Sequence, residues 1–124
     1  MDAARKARQK KRTELLNQLA EIMIEEQVEQ GVFLETPHYS IIERAAVTLG
    51  RRLSRQAQQR AAREVAANCP AQAACPTCQS SCDVTTENRL TTSIDGSIEL
   101  TETVAYCRKC RRSFFPSAGG DGAG

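Results

Sequence analysis

The 124-residue chain has no tryptophan, one histidine and only 4% aromatic residues. An apolar core with so few rings is thin and mostly aliphatic, and such a chain needs a metal, a partner or the rest of a larger protein for its stability. No apolar run approaches membrane-spanning length, and the basic N-terminus lacks the apolar segment of a secretory signal. A cytoplasmic location, with no membrane partner, is therefore expected. His38, the lone histidine, sits near an expected helix start and reads as an ordinary surface residue, neither ligand nor catalyst.

What the chain does have is six cysteines, at positions 69, 75, 78, 82, 107 and 110. Two short pairs stand out, Cys75-Pro76-Thr77-Cys78 and Cys107-Arg108-Lys109-Cys110. A two-residue gap lets both thiolates of one tight loop turn onto the same ion, and two such loops supply the tetrahedral sulfur set that a structural Zn²⁺ prefers. Three disulfides would suit a secreted protein, and a redox Cys-x-x-Cys would need a thioredoxin-like βαβ setting; neither context is present. The expectation is one Zn²⁺ held by Cys75, Cys78, Cys107 and Cys110. Cys82 is the alternative ligand, ranked second because it falls where a strand begins and points along the sheet. Cys69 precedes the linker and reads as a free thiol.

The net charge of +2 is unevenly spread. Residues 1–12 form a basic leader, Arg5, Lys6, Arg8, Lys10, Lys11 and Arg12, read as a frayed, solvated helix start. From Thr13 to about Gln30, Leu15, Leu16, Leu19, Ile22, Met23 and Ile24 recur at helical spacing, with Gly31 as the stop. Thr36 as cap and Pro37 as first helical residue restart the chain into a second helix running to about Ala67. Its inward stripe is expected to be Ile42, Ala46, Leu49, Leu53 and Ala57, with Gly50 marking a bend or a close approach. The short connection predicts a helical hairpin over residues 13–67 that buries Leu19, Ile22, Met23, Leu49 and Leu53. Residues 36–67 carry six arginines against Glu43 and Glu64, so a nucleic-acid footprint is expected there, joined by the basic residues beside the second cysteine pair.

Residues 68–74 read as a linker, 75–116 as a zinc ribbon and 117–124 as a disordered Gly/Ala-rich tail. Beyond Cys82, Val84, Thr86, Leu90, Thr92, Ile98, Leu100, Val104 and Tyr106 share even parity. One continuous face then requires an odd loop, so a three-residue turn Ile94-Asp95-Gly96 is predicted, pairing Leu90 with Leu100 and Val84 with Tyr106. Both cysteine pairs then lie at the same end of the hairpin. The fold class is α+β, an N-terminal helical hairpin followed by a small zinc-ribbon β-hairpin.

The run Cys75-Pro76-Thr77-Cys78, the hairpin Thr92 to Leu100 and the segment Tyr106-Cys107-Arg108-Lys109-Cys110-Arg111-Arg112-Ser113-Phe114-Phe115-Pro116 together resemble the N-terminal region of ISKra-type insertion-sequence transposases. The resemblance covers about residues 40–116. It departs where family members have Gly after the first knuckle and this chain has Gln79. The resemblance carries over the four cysteines and no catalytic carboxylate, and implies a truncated or split N-terminal piece without the family's catalytic domain.

Two functions follow as expectations. The first is a non-catalytic, zinc-binding, DNA-associated module, with Arg51, Arg52, Arg55, Arg108, Arg111 and Arg112 touching phosphates with little sequence discrimination. The second is a zinc-stabilised interaction module whose helices dimerise or dock a partner. Phe114 and Phe115 are the candidates for base stacking, although a role capping the ribbon core is favoured. Glu21, Glu25, Glu26 and Glu29 read as the wet face of the first helix rather than a catalytic set. No small-molecule substrate is expected.

Overall fold

The computed structural model describes residues 2–33 and 37–116. The expected Thr36 cap and the 117–124 tail lie outside the described residues. Two helices, α1 (Asp2–Glu29) and α2 (Tyr39–Ala67), precede four strands: β1 (Gln72–Ala74), β2 (Ser81–Ser93), β3 (Gly96–Cys107) and β4 (Arg112–Phe114). The architecture is α+β, a helical hairpin followed by an antiparallel sheet of order β1-β2-β3-β4. The chain divides into two units, Met1–Arg51 and Arg52–Gly124, with α2 contributing to both.

In the first unit, α1 starts at Asp2, so the basic leader is helical and exposed. Its Ala, Arg, Lys, Gln, Leu and Glu residues are strong helix formers. Gly31, at φ 76°, ends the helix. Its N–H donates to Val28 O at 3.0 Å while that of Val32 reaches back to Gln27 O at 2.9 Å, the paired closure that a left-handed glycine permits. The cap of α2 is His38. Its Nδ1 accepts the Ser40 N–H at 3.3 Å, and its carbonyl accepts the Ile41 N–H at 2.9 Å.

The helix pairing is thinner than the sequence suggests. Only Leu19, Met23 and Gln27 of α1 are half-buried, and in the first half of α2 only Ile41, Ala45 and Leu49. Each set is a single row at four-residue spacing, the pattern of two helices touching along one ridge. None of the five residues expected to be buried is; Ile22 and Leu53 are exposed, as are Ile42, Ala46 and Ala57 of the expected stripe. Gly50 marks no close approach, since a Cβ there would meet nothing within 4 Å.

In the second unit, β2 and β3 form a long hairpin whose register differs from the expected one. Val84 lies opposite Ala105, Leu90 opposite Glu99 and Ser93 opposite Gly96. The loop is therefore two residues, Ile94-Asp95. Ser93 closes it, its hydroxyl accepting the Asp95 N–H at 3.2 Å and donating to Gly96 O at 2.7 Å. Even parity does not define one face, because this register sets even-numbered residues of β2 opposite odd-numbered residues of β3, and burial also changes face along the hairpin. Near the cysteines Val84, Thr103 and Ala105 turn inward, whereas near the tip Ile98, on the opposite face, is 4% exposed and Leu90 is 77% exposed. The hairpin end is held by a polar row on the second half of α2. Ser54 Oγ donates to Asp95 Oδ2 at 2.5 Å, Arg55 Nη1 to Asp95 O at 2.9 Å and Gln58 Nε2 to Ser93 Oγ at 3.3 Å. Gln59 Oε1 accepts the Glu99 N–H at 2.8 Å. Asn68 ends α2 with its side-chain amide on Glu64 O at 2.9 Å.

Candidate metal centre

Each cysteine pair sits at a tight turn built the same way. In the first, the Cys75 N–H donates to Ser80 O at 2.9 Å and the Gln79 N–H to Cys75 O at 2.8 Å. This closure aligns the flanking residues, so 72–74, read as linker, pair with 81–83 as β1 against β2. The second turn lies between β3 and β4, with Cys107 opposite Arg112. In both, a backbone N–H points at the first sulfur: Thr77 N to Cys75 Sγ and Cys110 N to Cys107 Sγ, each 3.4 Å. In both, the residue after the second cysteine is left-handed, Gln79 at φ 64° and Arg111 at φ 55°. These two residues are the chain's only described non-glycine positions with positive φ. Gln79 therefore stands where glycine would be free of steric cost.

The hairpin brings the two turns together. The Sγ atoms of Cys75, Cys78, Cys107 and Cys110 all lie within 4.8 Å of one another, a set that can hold a metal ion. Cys75 and Cys110 sulfurs are 3.8 Å apart and those of Cys78 and Cys107 3.5 Å. All six cysteines are free thiols. Beneath the sulfurs lies a small core of Cys75, Cys82, Ala105 and Cys107, with Val84, Cys110 and Phe114 packed against it. Cys82 belongs to this floor rather than to the sulfur set. It is buried, and its Sγ lies 3.4 Å from Ser80 O. Cys69 is half-buried just beyond α2.

The four thiols do not share their protons evenly. Cys75 is held below the ordinary thiol range chiefly by the backbone N–H groups of Cys78 and Thr77. Ser80, through its hydroxyl and its N–H, lowers Cys78 to about 6. Cys110 is pushed up to about 12 by its contact with the Cys78 sulfur and by burial. Burial also raises Cys82. The Cys78 thiolate is thus favoured before any metal arrives and Cys75 is shifted in the same direction, while Cys110 retains a proton that an incoming cation would displace.

The basic residues expected at phosphates fall in different settings. Arg108, Lys109, Arg111 and Arg112 are exposed on and beside the second turn, and Arg51 and Arg52 are exposed on α2. Arg55 is half-buried, its guanidinium committed to the Asp95 carbonyl. On the hairpin, Glu87 and Glu102 lie directly opposite one another. Arg89 offsets this repulsion by pairing Nε with Glu102 Oε1 at 2.5 Å, which lowers the Glu102 carboxyl below its usual range. Ser54, Gln58 and Gln59 share a half-buried row with Arg55, and unlike Arg55 they carry no functional expectation from the sequence. The signal of the row is the polar interruption of the apolar stripe of α2.

No family model, curated protein or solved structure matches this chain. Among the described residues, no helix is long and apolar enough to cross a membrane.

Proposed function

We propose that the chain is a zinc-stapled module that associates with DNA and carries no catalysis of its own. The observation that carries the reading is the convergence of Cys75, Cys78, Cys107 and Cys110. A tetrahedral ion with Zn–S bonds of about 2.3 Å needs sulfurs about 3.8 Å apart, and two of the distances here are 3.5 and 3.8 Å. Thiolate ligands select a soft or borderline metal, and four of them close the coordination shell, so the ion's role would be to hold the ribbon. Reduced thiols as ligands fit a cytoplasmic setting.

DNA association is supported by the second turn, where Arg108, Lys109, Arg111 and Arg112 are concentrated and exposed. They would neutralise phosphates, giving binding that weakens as salt rises and discriminates little between sequences. Arg51 and Arg52 would add contacts of the same kind, while Arg55 would first have to release Asp95. A transposase-derived role, in DNA transposition, is the biological setting that the resemblance to ISKra-type transposases suggests.

The test is metal analysis and DNA retention with the full chain. One Zn²⁺ per chain, lost in Cys75→Ser and Cys107→Ser but kept in Cys69→Ser, is the expected result. Stoichiometric zinc in Cys107→Ser would refute the ligand set. Salt-sensitive retention on DNA that falls in Arg111→Ala/Arg112→Ala is expected of the second half of the proposal.

A second reading, self-association through the helices, is favoured by one observation. Helix α1 buries no residue and leaves Leu15, Leu16, Ile22, Ile24 and Val28 each about half exposed. Salt-insensitive dimerisation abolished by Leu19→Asp, without retention on DNA, would favour it over the first.

A further inference from the structure

Strand β4 runs beside β3 with Ala105 opposite Phe114, Tyr106 opposite Ser113 and Cys107 opposite Arg112. Thr103 Oγ1 donates to the Pro116 carbonyl at 2.8 Å. Continued one step past the end of β4, the same register would set Phe115 opposite Val104. Successive side chains alternate between the faces of a sheet. Phe114 accordingly joins Ala105 in the thiol core, while Phe115 shares the reverse face with Val104, Ser113 and Tyr106.

On that reverse face Tyr106 is 50% exposed and Phe115 65%. In a chain with only five Phe and Tyr residues and no Trp, two rings left open on one sheet face are a large share of the aromatic surface. Neither ring is needed to cover the core, because Phe114 already does so. The turn joining their two strands carries Arg108, Lys109 and Arg111, all exposed. Of the acids on the same face, Asp83 accepts from the Gln72 side-chain amide and Glu102 pairs with Arg89, while Glu87, opposite Glu102 and farther along the hairpin from the cysteine turns, is exposed.

We infer that Tyr106 and Phe115 form a stacking platform for the unpaired bases of single-stranded DNA, with Arg108, Lys109 and Arg111 taking the adjoining phosphates. The inference rests on the DNA reading above and narrows its substrate class. Diagonal neighbours on antiparallel strands stand about 7–8 Å apart, so each ring receives one base of an extended strand rather than both rings sharing one. Open rings beside a cationic track are the means by which proteins hold single strands without reading sequence. A duplex keeps its base faces stacked on one another and offers only phosphates to the same surface.

The experiment uses the zinc-loaded full chain and fluorescence anisotropy with a labelled mixed-sequence 20-mer, single-stranded and as its duplex. The single strand should bind more tightly than the duplex. Tyr106→Ala and Phe115→Ala should each weaken single-strand binding about tenfold while leaving the duplex affinity and zinc content unchanged. Tyr106→Phe should bind as the parent does, since the ring face and not the hydroxyl is used. In a Tyr39→Phe background the remaining Tyr106 should lose fluorescence on binding the single strand. Alanine variants that keep full single-strand affinity, or a parent that prefers duplex, would overturn the platform and leave the phosphate-based reading standing. A parent that binds neither form would overturn both.

Discussion

Replacing Gly96 by alanine should cost more stability than its position on the surface of a small hairpin suggests. Its φ of +121° lies in a region that L side chains rarely adopt, and a Cβ there would come 3.2 Å from Arg55 Nη1 and 3.3 Å from Arg55 Cδ. Backbone strain of this kind costs about 1–3 kcal/mol. Moving Arg55 aside would also lengthen its hydrogen bond to the Asp95 carbonyl, and a bond from a charged donor contributes about 1.5–3 kcal/mol. A loss of about 2–4 kcal/mol is expected, the two contributions overlapping in part. The assay is chemical denaturation of the zinc-loaded protein at fixed free zinc, because bound metal shifts the apparent stability by mass action. Arg55→Ala and the double variant complete a cycle. In the Arg55→Ala background the steric part disappears and the backbone part remains, so Gly96→Ala should cost roughly half as much there. A loss below about 0.5 kcal/mol in the parent background would refute the argument, since typical surface substitutions fall in that range.

Gln79→Gly should stabilise the zinc-loaded protein by about 0.5–1 kcal/mol, because the left-handed conformation costs a non-glycine residue about 1–2 kcal/mol and glycine's extra chain entropy returns part of that; thermal melting is the check, and unchanged stability would mean that Gln79 is not strained at φ 64°. Zinc uptake should weaken as pH falls from 8 to 6, because metal must displace the proton that Cys110, at about 12, holds through this range, whereas Cys78, at about 6, is already largely ionised above its midpoint. Chelator competition at the two pH values measures this, and a pH-independent affinity would contradict it. In a plasmid-nicking assay with Mg²⁺ or Mn²⁺ the chain should be inactive, since two-metal phosphoryl chemistry needs clustered carboxylates; nicking that follows the folded protein through purification, and is absent from Cys75→Ser, would overturn the non-catalytic reading.

The sequence by itself determined the helix-then-sheet order and the pairing of two Cys-x-x-Cys turns at one end of a hairpin. Both rest on local physics. Helical periodicity and a glycine stop are written within a few residues of one another, and a two-residue gap between cysteines restricts how their sulfurs can point. The left-handed Gln79 and Arg111 belong partly to this class, because a turn that aims two sulfurs at one point must reverse sharply just after the second. Tertiary structure decided the rest. The hairpin register slipped by one residue from the parity reading, because Ser93 and Gly96 close a two-residue loop against Arg55, a partner about forty positions away. The burial face changes midway because the thiol core fills one side of the hairpin near the cysteines and Ile98 turns to the other side near the tip. Arg55 reads in sequence as one more basic residue of a helix and becomes a half-buried donor only once the hairpin end reaches it. Likewise Phe114 and Phe115 are indistinguishable as neighbours in a chain. Only pairing with β3 sends the first into the core and leaves the second open, because alternation along a strand assigns faces and nothing local says which face the core will occupy.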